Sequence, residues 1–282
     1  SILILENGRR LAGEDRYTRI NVANIKRIEI LNGAASALYG SDAIGGVINI
    51  ITDDARNTVN VSSYTHYSGE GRLTESVNAD VNAGKFSSYT SYQRRQAGSW
   101  QNNNIDENGY ETGRPTSVGF YSNTVNQRFV FNATDKLSFY ARGTYFDNKT
   151  RRPQDATYYA KSKGQFVQKD AYTYNLKHET YTYGAGMKYM INRSAYIDAE
   201  FYSDNYSSDY MYFKKSGNYL PGDRVTRKQV RYYNGNIKGI FRLGSRNKLS
   251  AGVEYVNEGL ESESDNIDSR HMYTLAFYAD RK

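Results

Sequence analysis

The sequence predicts a mainly β protein, a small mixed α+β domain followed by the antiparallel strands of a transmembrane β-barrel. The first observation is a change of texture near Thr52. Before it, compact apolar runs (Ile2 to Leu5, Ile25 to Leu31, Val47 to Ile51) are separated by glycine turns, as expected of short buried strands with one short helix. The second is period two beyond Asp53. In Ala195 to Asp204 the apolar set is Ala195, Ile197, Ala199 and Phe201, against Tyr196, Asp198, Glu200, Tyr202 and Asp204. Successive side chains of a strand point to opposite faces, so this is a strand with one apolar and one polar face. Leu137, Phe139, Ala141 and Tyr145 repeat the pattern against Ser138, Arg142 and Thr144, as do Leu249, Ala251, Val253 and Tyr255. The third observation is the spacing of the connections.

Ten strands are expected at 58–68, 72–83, 86–99, 119–133, 136–148, 177–191, 194–213, 226–243, 248–260 and 271–282. After the first hairpin, tight turns at Ala83–Lys85, Ala133–Asp135, Asn192–Arg193 and Gly244–Asn247 alternate with long loops. The loops are Trp100–Val118, Lys149–Leu176, Lys214–Arg224 and Glu261–Arg270. A soluble sandwich has no reason to put every short turn at one end, whereas a membrane barrel does. Most segments also exceed the roughly 9–11 residues that cross a bilayer at a tilt. Ten strands could close a narrow barrel, but its interior would be filled by side chains and leave no room for another domain. The expected division is 1–55 and 56–282.

Composition agrees and excludes alternatives. Mean hydropathy is -0.78, and no apolar run is long enough for a transmembrane helix. The chain of 282 residues has no cysteine, which removes disulfide scaffolds, thiol catalysis and thiolate zinc sites. Its 28 tyrosines point to boundaries between apolar and wet surroundings. The net charge of +7 is dispersed, with Arg94, Arg95, Arg151, Arg152, Lys161 and Lys163 near strand ends or in loops. Such cations suit anionic ligands or outer-leaflet lipid phosphates; nucleic acid, which asks for a single basic stripe, is not expected. Ser1 opens directly into an apolar run with no basic n-region, so the chain reads as a piece of a longer protein.

Ile25 to Thr52 reads IKRIEILNGAASALYGSDAIGGVINIIT. This resembles the plug signature of TonB-dependent outer-membrane receptors, in which an I-E-R-I-E-V-x-R-G-P strand leads into S-x-L-Y-G-x-x-A-x-G-G-V-I-N-I-I-T. The upstream run Leu5 to Leu11 is similar to the family's L-I-D-G-x-R-L element. The resemblance implies a fragment of a barrel of about 22 strands with a plug inside, here the carboxy-terminal part of the plug followed by the first ten or so strands. Glu29, Gly33, Tyr39, Gly40, Gly45 and Gly46 are its signature positions, read as structural: the glycines for backbone freedom, Tyr39 as a turn anchor. The family's Arg-Gly-Pro is replaced by Asn32-Gly33-Ala34. By resemblance that arginine joins an ionic cluster between plug and barrel wall, and Asn32 removes it.

The resemblance implies energised uptake of a large scarce nutrient: vitamin B12, haem or a ferric siderophore. Ligand would bind at plug apices and external loops, and TonB would open the plug. No cofactor is required and no enzyme activity is expected, since the sequence offers no nucleophile–base arrangement, phosphate loop or metal spacing. The run Tyr39 to Gly46 is most similar to the vitamin B12 transporter, and by that alignment Arg10, Glu14, Asp15, Arg16 and Tyr17 face the ligand. Gly45-Gly46 stands where the starch-utilisation type usually has Asn-Gly, which argues against that alternative, a glycan receptor. A second alternative is a non-transporting β-rich adhesin. Calcium is a possible ligand at Asp204 and Asp209 in the oxygen-rich run 204–210, and haem ligation by His66, His178 or His271 stays open.

Overall fold

The computed structural model describes residues 2–13, 18–32, 43, 45–52, 58–101, 117–151, 157–162, 165–170, 173–212, 215, 217–243 and 247–281. A small sheet comes first. Strands β1 (Leu3–Glu6) and β2 (Arg9–Arg10) form a hairpin whose corner is Asn7-Gly8. Both corner residues have positive φ, 52° and 80°, as a tight two-residue hairpin turn demands. A short 3-10 turn, Val22–Asn24, leads into β3 (Ile25–Asn32), and β4 (Gly46–Thr52) completes the sheet in the order β2-β1-β4-β3. Strand β4 lies parallel to β1 and antiparallel to β3. Its two faces are both covered: Val47 packs with Leu3, Leu5 and Ala43, and Ile50 with Ile4, Leu11 and Ile20. This is why Val47 to Ile51 shows no polar alternation. Strand β3 departs from expectation. It is the sheet's edge, and Ile28, Ile30 and Leu31 are exposed.

Ten long strands follow: β5 (Val59–Ser68), β6 (Arg72–Ala83), β7 (Phe86–Gln101), β8 (Ser117–Asn132), β9 (Leu137–Arg151), then β12 (Thr173–Asn192), β13 (Ala195–Tyr212), β14 (Arg224–Leu243), β15 (Asn247–Ser262) and β16 (Ile267–Arg281). Strands β10 (Thr157–Ser162) and β11 (Gln165–Asp170) form a separate hairpin inside the predicted long loop 149–176. All neighbours in the large sheet are antiparallel and sequential. Its edge strands β5 and β16 are not paired with each other among the described residues, so the ten strands form an open sheet and not a closed narrow barrel. The strands run past the predicted ends, most of all on the long-loop side: β12 starts at Thr173, and the last loop shrinks to 263–266.

Register makes the two faces explicit. Phe86, Phe131, Phe139, Met187, Ala199, Ile237, Val253 and Phe277 are successive cross-strand partners from β7 to β16. They form one continuous apolar row, and Phe277 at its end is 78% exposed. An apolar row open to the surroundings suits lipid contact. On the opposite parity, Ser76, Ser91, Gln93, Thr124, Thr182 and Asp204 are buried, though polar, because they face the small domain.

Candidate functional site

The small domain is held to the inner face of the large sheet by arginines. Arg19 reaches Asp204 on β13, with Nη1 3.1 Å from both carboxylate oxygens. The two side chains are 4% and 0% exposed. Asp204 also accepts from the Ala12 amide at 2.6 Å and from the Thr182 hydroxyl at 2.7 Å. A carboxylate taken out of water needs this much compensation, and here three groups from two domains supply it. Arg19 Nη2 donates in turn to the Ala12 carbonyl.

A second anchor lies four residues away on β13, at Glu200. Arg9 grips Glu200 through Nε and Nη2, and Tyr140 on β9 donates its hydroxyl to the same carboxylate. Arg9 Nη2 also donates to Tyr140 Oη at 2.9 Å. Burial disfavours the charge of Arg9, but the bonds and negative charge of Glu200 outweigh it and hold its pKa above the ordinary guanidinium value. Arg10 pairs with Glu258 on β15 at 2.7 Å, and its carbonyl accepts from Tyr202 Oη at 2.8 Å. Each of the three arginines also sits over an inward tyrosine: Arg9 on Tyr140, Arg10 on Tyr232 and Arg19 on Tyr206, at 5.6 to 5.9 Å. Part of the tyrosine excess thus lines this interface. On the other side of the sheet the contacts are neutral. Asn21 meets Ser76 and Gln93, and Asn24 meets Ser91.

These contacts trace a climb. Arg9 touches Glu200, Ala12 touches Asp204 and Gly13 packs on Tyr206, so the chain ascends β13 from the short-turn end toward the long loops. Arg19 then returns it to Asp204.

Of the predicted ligand-facing residues, Glu14, Asp15, Arg16 and Tyr17 lie outside the described residues, as do Gly33, Tyr39 and Gly40 among the signature positions. Arg10 is placed on the wall, tied to Glu258. Gly46 has φ +122°, and a Cβ there would come 2.7 Å from the Leu31 carbonyl oxygen, so the position requires glycine. Gly45 is exposed beside it. Glu29, half-buried on β3, accepts from Arg27 Nε at 2.8 Å and from Asn49 at 3.0 Å. The possible calcium pair does not converge. Asp204 and Asp209 differ in parity along one strand and so point to opposite faces. Asp204 is held by Arg19, and Asp209 takes two hydrogen bonds of 2.7 Å from Arg227. No group of three metal-holding side chains occurs among the described residues. His66, His178 and His271 sit on β5, β12 and β16, beside Tyr64, Tyr206 and Tyr273 respectively. Sequence reading missed Arg9, Arg19 and their partners as an interface. The available signal was Glu200 and Asp204, two carboxylates on the inward parity of one strand, which had to find cations in the enclosed domain.

Between the small sheet and strands β7 to β9 lies a polar cavity of about 490 Å³, nearer the short turns, reached by Arg9, Lys26, Arg128 and Arg142.

Residues 1–47 match the family model of the TonB-dependent receptor plug domain. Among solved structures, the ferric enterobactin receptor PfeA of Pseudomonas aeruginosa (a G324V mutant) superposes with a TM-score of 0.76 at 14% identity, over 99% of this chain and 47% of that one. The siderophore receptor PirA of Acinetobacter baumannii gives 0.72 at 16% identity, over 99% and 46%. The FrpB iron transporter of Neisseria meningitidis gives 0.67 at 14%, over 93% and 42%. The chain thus spans about half the length of the structures it matches, and at these identities the likeness is one of fold. Residues 1–47 thus match the plug domain of TonB-dependent receptors, and the described fold, a plug held against barrel strands, is similar to about half of such plugged-barrel receptors.

Proposed function

We propose that this receptor takes up a ferric siderophore, bound between the plug apex and the long loops and released inward when TonB displaces the plug. The observation that carries the reading is the course of the plug chain along β13 toward the long loops, from Arg9 on Glu200 through Ala12 on Asp204 to Gly13 on Tyr206. Glu14, Asp15, Arg16 and Tyr17 are the proposed ligand contacts, and Arg10 anchors the loop from below. The fold shared with PfeA and PirA, named as ferric enterobactin and siderophore receptors, favours a ferric chelate over vitamin B12 or haem. The test is capture by the complete protein in detergent, offered ferric enterobactin, cyanocobalamin or haem, each with and without calcium, and read by co-eluting visible absorbance. Retention of the ferric chelate, lost in Arg16→Ala/Tyr17→Ala, supports the reading. Retention of cyanocobalamin or haem alone overturns it.

A further inference from the structure

We propose that the cavity between the plug sheet and strands β7–β9 is an oxyanion-binding site, taking the carboxylate or phosphate groups of a small, multiply charged ligand. It deepens the uptake reading by placing a second binding station below the apex, but its evidence is separate. The charged residues lining it are Glu6, Arg9, Lys26, Arg27, Arg128 and Arg142. Cations dominate that wall. Even counting Glu200 and Glu29, which pair Arg9 and Arg27 from outside the lining, five cations face three carboxylates among the described residues. The second observation is Arg142. Its guanidinium stacks over Tyr202 at 5.3 Å, while its Nε is buried with no hydrogen-bond partner. A buried N–H of a charged group left without an acceptor is costly, and an entering oxyanion would supply one.

The remaining lining fits the same chemistry. Asn126 and Thr144 add neutral polar groups beside the cations, and the volume exceeds what a single phosphate fills. Guanidinium forks match carboxylate and phosphate geometry in pairs of hydrogen bonds, so Arg128 and Arg142, on neighbouring strands, could share one such group. The wall of the cavity also contains Arg9, the plug's anchor to Glu200. A bound oxyanion would compete with Glu200 for that guanidinium and ease the plug from β13.

The experiment is calorimetric titration of the complete protein in detergent at low salt, with citrate in one arm and inorganic phosphate in the other. Saturable binding of either probe is expected, weakened at least tenfold by Arg142→Gln and by the exposed-site variant Lys26→Gln, largely restored by Arg142→Lys, and diminished by added salt. The arm that binds more tightly identifies the source of the oxyanion. Lys26→Gln tests the site even where Arg142→Gln misfolds, since Lys26 is exposed. Binding unchanged in both neutral variants, or no saturation by either probe, overturns the proposal. Capture at the apex needs no cavity residue, so failure here and failure of the uptake reading are distinguishable.

Discussion

At Gly13 the plug meets the wall where no side chain fits. Its φ is +69°, and a Cβ would lie 2.3 Å from Tyr206 Cγ. Gly13→Ala should lose about 1–2 kcal/mol to the left-handed backbone alone, and more to the clash. Adding Tyr206→Ala should recover only the clash component, as denaturant unfolding of the chain would resolve. Asp204 is the costlier loss. Removing it leaves Arg19 buried without its counter-charge and the Ala12 amide without its acceptor. Asp204→Ala is expected to destabilise by about 3–5 kcal/mol, and a double-mutant cycle with Arg19→Ala should show strong coupling. Glu29 gives a pH signature. The hydrogen bond from Arg27 holds its carboxyl below the ordinary range, with Asn49 adding a little. A depressed folded-state pKa means its contribution is present above the unfolded value of about 4.3 and fades as pH falls through the lower folded value. A carboxyl carbon titration followed by NMR should return toward the ordinary midpoint in Arg27→Ala, and an unchanged midpoint would defeat that account.

At the scale of elements, the large sheet is legible in sequence because one physical constraint acts on every strand. Each has lipid on one side and the plug or water on the other, so period two is enforced from Val59 to Arg281. Ile237 lies in the outward row between Ala199 and Val253. Ile237→Arg should therefore cost about 2–4 kcal/mol in a bilayer, whereas Asn236→Arg, one residue away on the inner face, should cost much less; urea unfolding in liposomes compares them. Strand ends were less legible. Above the bilayer the strands β12 and β14 continue through polar residues such as Lys177, Glu179, Arg227 and Arg231, where alternation no longer separates strand from loop. The hairpin β10–β11 was hidden for the same reason. Exposure of β3 was also unforeseen: Ile28 and Ile30 read as core, but their strand is the sheet's edge, a fact of strand order that composition does not encode. The arginine anchors were half legible. Their carboxylates stand on the inward parity, but only the fold brings residues 9 and 19 to residues 200 and 204.

Across the whole molecule the plug is held asymmetrically. Among the described residues, the contacts on the β13 side are ionic, through Arg9–Glu200 and Arg19–Asp204; on the β6–β7 side those from Asn21 and Asn24 are neutral. The missing family arginine at Asn32 is thus not the end of ionic locking here, since Arg9 and Arg19 perform it from other positions. Ion pairs in a partly wet interface weaken steeply once geometry is lost, because water screens separated charges that contact had shielded. Neutral amide–hydroxyl pairs exchange more readily with water at little cost. A plug held this way should open as a hinge, leaving β13 first and pivoting on β6 and β7. Glu200→Gln combined with Asp204→Asn tests this in the complete protein by hydrogen exchange. Amides of residues 9 to 12 should lose protection at least tenfold, while those of residues 21 to 24 keep theirs. Loss spread equally over both segments would instead mean that the plug is released as one body, and the hinge would have to be abandoned.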